Sequence, residues 1–119
     1  MQNDIRIMYL RDSYPVVDGM LTPGQPVGCL AIRLNKTGTR AEYGLSVLNP
    51  KDKFSREIGR SVASAQLSHN PFSVRIPSNA TIHEITEAVM LDLESLPQVP
   101  SRARRAAKVW INTNGLGSF

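Results

Sequence analysis

The chain's 119 residues, 41% hydrophobic and 20% charged, amount to one domain of ordinary composition, which excludes wholesale disorder and leaves no room for a second independent core. Fourteen Lys and Arg against ten Asp and Glu leave a formal charge of +4, a mild bias toward anionic partners such as nucleotides, nucleic acid or phosphorylated ligands. One cysteine and two histidines are too few for a four-ligand structural zinc site, and the lone Cys29 fits a reduced compartment.

At the N-terminus, Asp4, Arg6, Arg11 and Asp12 interrupt any signal-like apolar stretch. The longest apolar run, Val27 to Ile32, is too short to cross a bilayer. A soluble, cytoplasmic protein with no membrane partner is expected. Asp4 to Leu10 alternates, with Ile5, Ile7 and Tyr9 on one face and Arg6, Met8 and Leu10 on the other, and predicts a first strand. Asp18-Gly19 and Pro23-Gly24 punctuate Asp12 to Gln25, which reads as a loop with room for a short strand around Val16. Val27 to Leu34 and Arg40 to Leu48 flank the turn Asn35-Lys36-Thr37-Gly38 and predict an antiparallel hairpin.

Asn49-Pro50-Lys51-Asp52 carries a helix-start pattern: Asn as N-cap, Pro at the first helical position and an acid at the third. A helix from Pro50 to Leu67 follows, its apolar face drawn from Phe54, Ile58, Val62 and Ala65. Asn70-Pro71 ends it, and Phe72 to Ile76 predicts another short strand. Thr81 and Glu84 form a capping box for a second helix with the stripe Ile82, Ile85, Val89 and Leu93. Pro97 and Pro100 stop the chain. Beyond them, SRARRAAKVW fits a short basic helix, while Ala107 to Ile111 fits a strand equally well; Asn112 to Phe119 reads as a tail. The expected fold is α+β: an antiparallel sheet packed against two main helices, with a basic C-terminal helix as the third candidate, in a single domain over residues 1–119.

No P-loop, dinucleotide glycine fingerprint or nucleophile elbow occurs, and neither histidine has the neighbours of a catalytic pair. His69 sits at a helix exit and His83 in a helix's first turn, positions that suit solvent-facing or capping histidines. A binding protein without cofactor, metal or turnover is therefore expected. Two basic clusters stand out. In the first, Asn49, Lys51 and Lys53 surround a helix start whose exposed N–H groups suit phosphate, and Arg56 and Arg60, four apart, share a face. In the second, Arg102 and Arg105 flank the Arg104–Lys108 face, with Trp110 just beyond as an aromatic partner for a base. A solvated basic helix face is the plain alternative for the first, and a basic C-terminal tail for the second. Tyr9, Tyr14, Tyr43 and Phe72 are further stacking candidates.

The run Gly44 to Arg60 (GLSVLNPKDKFSREIGR) resembles a pattern of small phage proteins in which a strand enters a Pro-x-Asp-x-Phe turn and a helix bearing Gly-Arg. It is similar to the phage Thoeris anti-defence sponge proteins, which bind and sequester the cyclic nucleotide signal of a bacterial immune system without cleaving it. The resemblance rests on those 17 of the 119 residues. It implies sheet-plus-helix protomers that assemble into a homo-oligomer in the cytoplasm of the infected host, with ligand pockets at protomer junctions lined by arginines and an aromatic residue. On that pattern Arg56 and Arg60, or the Arg102 to Lys108 cluster of a neighbour, would neutralise the phosphates. The ligand would be a cyclic ADP-ribose isomer or a cyclic oligonucleotide. A small basic nucleic-acid-binding regulator is the alternative on the same two clusters.

Overall fold

Strict alternation does form the first strand. In the computed structural model, which describes residues 4–49 and 51–114 apart from the side chain of Leu21, β1 spans Arg6–Arg11. It is followed by β2 (Val16–Val17), β3 (Met20–Leu21), β4 (Pro26–Leu34), β5 (Arg40–Val47), α1 (Arg56–His69), β6 (Phe72–Arg75), α2 (Ile82–Ser95) and α3 (Ser101–Asn114). The expected α+β class is what forms: an antiparallel sheet in the order β1-β4-β5-β6, with three helices. The basic C-terminal segment is a full helix of 14 residues rather than a strand. It absorbs Asn112 to Asn114 from the expected tail, whose remaining residues lie outside those described.

Because side chains alternate along a strand, the sheet has two buried faces. One carries Leu10, Leu30, Ile32, Ala41, Tyr43 and Leu45 against α2 and α3, which contribute Val89, Met90, Leu93, Ala103, Ala107 and Trp110. The other carries Ile7, Tyr9, Cys29 and Ala31 against Ala63 and Leu67 of α1. The two sets expected for β1 therefore face two different cores. The Thr81–Glu84 capping box is present in both directions, and α2 buries Val89 and Leu93 as expected, although Ile82 is exposed.

Helix α1 departs from the sequence reading at its start and on its buried face. The helix begins at Arg56 behind an N-cap at Ser55, whose hydroxyl accepts the Ile58 N–H at 3.3 Å. Asn49 instead closes a turn, its side-chain oxygen accepting the Lys51 N–H and its backbone oxygen the Asp52 N–H. Lys51 and Lys53 consequently lie in the connection and not in a first helical turn; Pro50 lies outside the described residues. The buried face is Gly59, Ala63 and Leu67, while Ile58 is 65% and Val62 48% exposed and Ala65 is exposed. Small residues win because the helix lies very close to the sheet. A Cβ on Gly44 would run into the Ala63 carbonyl, and one on Gly59 would sit 3.3 Å from the Cys29 Cβ. Arg33 secures the far end by donating to the Leu67 carbonyl while pairing with Glu42 at 2.8 Å.

Asp12 to Gln25, expected as a loop with a short strand around Val16, does form that strand and pairs it with β3 in a hairpin arm. Asp18 (φ 53°) and Gly19 (φ 79°) take the two positive-φ positions of a tight reversal between β2 and β3. Thr22 and Gly24 donate their N–H groups to Pro15 and Ser13 and continue the ladder toward the main sheet.

Tyr43 couples the sheet to α2 by donating its hydroxyl to Asp92 at 2.7 Å. Burial, then this hydrogen bond and the carboxylate's charge, push the phenol far above its ordinary value of 10. Burial also raises Tyr14 and Cys29. All three hold their protons longer folded than unfolded. Their contribution is thus complete below about pH 9 and declines as pH rises, because the unfolded chain binds fewer protons. Urea titrations from neutral to strongly alkaline pH should show this loss. Tyr43→Phe should cost about 1.5–3 kcal/mol at neutral pH, for a hydrogen bond to a charged group, and should flatten the alkaline decline.

Candidate functional site

Both basic clusters lie at one end of the sheet. Helix α1 starts near the beginning of β4, with Gly59 against Cys29, and ends at Arg33 and Gly44. On the opposite sheet face, α3 starts where Arg102 Nη1 donates to the carbonyl of Leu48, just beyond β5, at 2.8 Å. Helix α2 starts at the other end, its Ile82 and Ile85 lining a cleft with Ile5 and Leu34. Two helix N-termini with their partial positive charge thus share the end that also carries Arg11, Lys51 and Lys53.

The most organised part of this end is built around Tyr9. Its ring lies on the α1 face of the sheet, with the Arg56 guanidinium 5.2 Å and the Arg11 guanidinium 6.0 Å from the ring centroid. Phe54 meets the same ring edge-on at 5.6 Å and 84°. The Tyr9 hydroxyl is buried and has no hydrogen-bond partner among the described residues. Arg60, one turn beyond Arg56, is near enough to the Cys29 thiol to offset part of the upward push of burial. Neither Arg56 nor Arg60 pairs with a carboxylate among the described residues. Arg11 is held in place by donating to the Gly24 carbonyl at 3.0 Å. A guanidinium beside an aromatic face is partly desolvated and retains donors for an anion. The sequence reading had Tyr9 as a stacking candidate but missed Arg11. The signal was available, since residues two apart on a strand share a face.

The α3 cluster is divided. Arg102 is anchored on Leu48, and Arg104 Nε donates to the Val99 carbonyl at 3.0 Å, so both have backbone partners. Arg105 is exposed and, with Arg102, Asp12 and Val27, lines a cleft of about 530 Å³. Trp110 does not join them. Only 8% exposed, it packs in the α2–α3 core, its ring 5.5 Å from that of His83. The expected base-stacking role of Trp110 is therefore corrected to a core role, since its ring faces are covered by protein. His83 is likewise neither solvent-facing nor a cap; its Nε2 is buried without a hydrogen-bond partner among the described residues. His69 is exposed at the end of α1, on the other side of the sheet, so the two histidines are not brought together.

Asn49 and Lys53 lie on the far flank of α1. They line a groove of about 400 Å³ with Val47, Ile58 and Val62. Seven of the eight sequence candidates thus share one end of the molecule but not one pocket, and Trp110 lies apart, against the start of α2. Arg56 stands over Tyr9 and Arg60 lies one turn on, near Cys29; Asn49 and Lys53 border the α1–β5 groove, Lys51 is exposed in the connection, Arg102 and Arg105 border the α3 cleft, and Trp110 is interior. No group of three or more His, Cys, Asp or Glu suited to a metal ion occurs among the described residues, and none of their helices is long and apolar enough to cross a membrane. Comparison with known proteins finds no family model, no curated protein and no solved structure that matches the chain.

Proposed function

We propose that this protein binds a small phosphorylated, base-bearing ligand at the cationic end of its sheet and holds it without chemical change. In the form suggested by the Gly44–Arg60 resemblance, it is a phage anti-defence protein that sequesters a cyclic nucleotide immune signal in the host cytoplasm, acting as a homo-oligomer. The observation that carries the reading is the Tyr9 cluster. Two guanidiniums flank one aromatic ring, a third lies a helical turn away, and the Arg56–Arg60 pair lacks carboxylate partners among the described residues. Charge-assisted hydrogen bonds to phosphate and stacking on a base are the two interactions such a cluster supplies. Sequestration works by mass action, so a dissociation constant near ~1 nM, about −12 kcal/mol, would serve it.

Equilibrium dialysis against a cyclic ADP-ribose isomer and a cyclic dinucleotide, followed by heat denaturation and mass spectrometry, tests the reading. Tight binding with the ligand recovered intact is expected. Recovery of a cleaved ligand, or no binding of either, would sink it. The division of cations between two sheet faces favours one second reading, a nucleic-acid-binding protein whose polyanion crosses the sheet end. Salt discriminates the two: a DNA binder should lose orders of magnitude in affinity between about 50 and 200 mM, and a pocket for one nucleotide far less.

A further inference from the structure

Among the apolar surfaces that the described residues leave open, two complement each other. The first is the β2–β3 arm. Val16 is 66% and Met20 70% exposed, and Val17 is exposed beside them. A two-stranded hairpin with its apolar side chains in water is marginally stable at best. The arm does not fold back onto its own domain, as those exposures require.

The second is the groove between α1 and the end of β5, floored by the outward flank of the helix at Ile58 and Val62. One wall is an unfinished sheet edge. Strand β6 reaches only Phe72, opposite Tyr43, so β5 has no neighbour on that side from Gly44 onward. Gln66 accepts the Leu45 N–H at 3.0 Å and covers the first open position. The Leu48 N–H points toward β4, so that of Val47 points into the groove, with no partner among the described residues. An open edge beside an apolar helix flank is the surface to which an extended segment adds as a further strand.

Charge completes the match. The segment from Asp12 to Gln25 carries two acids and no Lys or Arg, while the connection bordering the groove, with Lys51 and Lys53 against Asp52, nets one positive charge. We propose that the occupant is a second copy of this chain: the β2–β3 arm of one copy seats in the α1–β5 groove of another, and the exchange is reciprocated about a twofold axis. Reciprocation closes the contact into a dimer, whereas a one-way contact would propagate into rings or filaments. The proposal does not depend on the ligand reading, because Arg56 and Arg60 occupy the opposite flank of α1.

Sedimentation velocity over roughly a hundredfold concentration range tests it. An arm variant, V16K/M20K, and a groove variant, I58K/V62K, change only exposed positions, and circular dichroism checks that both remain folded. The wild type should dimerise, and each variant alone should dissociate about tenfold or more readily. Mixed together, the variants should associate, since the arm of one and the groove of the other are intact, giving one working junction. A wild type that stays monomeric, a variant that dimerises as well as the wild type, or a mixture no more associated than its components would each overturn the proposal.

Discussion

Gly44→Ala should be among the most destabilising single-methyl changes available in this protein, at about 3 kcal/mol, the upper part of the range for overpacking a close contact. The added Cβ has no free volume, because it meets the Ala63 carbonyl and lies 2.6 Å from the Leu67 nitrogen. Those are backbone atoms of a helix held at its end by Arg33, so no side-chain rotation relieves the clash. Helix α1 would have to lift from the sheet, loosening its contacts at Cys29 and Ala31 as well. Thermal unfolding should fall by on the order of 10 °C. Gly38→Ala is the contrast: it has positive φ (71°) but open space around the Cβ position, so only about 1 kcal/mol of backbone strain is expected. Urea melts of the two variants check the ranking. Equal losses would mean that α1 does not lie so close to β5.

Arg56→Ala should weaken binding of the proposed cyclic nucleotide ligand by roughly 10- to 100-fold, the loss of one charge-assisted interaction of about 1.5–3 kcal/mol, while leaving the melting temperature nearly unchanged. The residue is exposed, and its guanidinium lies against the Tyr9 ring. The two conspicuous residues of the other cluster should behave in the reverse sense. Arg102→Ala removes the donor to the Leu48 carbonyl and Trp110→Ala empties part of the core, at about 1 and 3–5 kcal/mol of stability respectively. Neither should change affinity as Arg56→Ala does. Calorimetric titration and thermal melts on all three variants separate the effects. Wild-type affinity in Arg56→Ala would remove the Tyr9 cluster from the binding site.

The misread start of α1 has a physical cause. The chain leaving β5 must climb from the sheet layer to a helix layer, a separation on the order of 10 Å as between packed layers. Asn49 makes that climb with a turn closed by the Lys51 and Asp52 N–H groups, and Lys53 and Phe54 lead from it to the cap. The cap then falls to Ser55, the residue from which the helix can set Gly59 over Cys29. Local pattern favoured Asn-Pro, and the tertiary distance overruled it. The buried face was misread for a related reason. Apolar size points to Ile58 and Val62, but the sheet beneath is lined by Cys29, Ala31 and Gly44, against which only small helix residues approach closely.

Trp110 and Arg102 show the same limit within the candidate site. An aromatic residue next to a basic run looks like a ligand partner when read along the chain. On the helix the two point different ways, and one face is covered by α2. Arg102 takes its partner from Leu48, 54 residues away, a pairing no local spacing announces.

By itself the sequence determined the elements whose evidence is local. Alternation placed β1, β4 and β5, the Asn35–Gly38 turn made their hairpin, and the Thr81–Glu84 box opened α2, because each depends on residues a few positions apart. The tertiary structure alone decided which flank of α1 is buried, which arginines are tied to carbonyls and which stand over Tyr9, and that β5 ends in an open edge. Those outcomes depend on close packing and hydrogen bonding between segments distant in the chain, where shape and distance, not composition, select the partner.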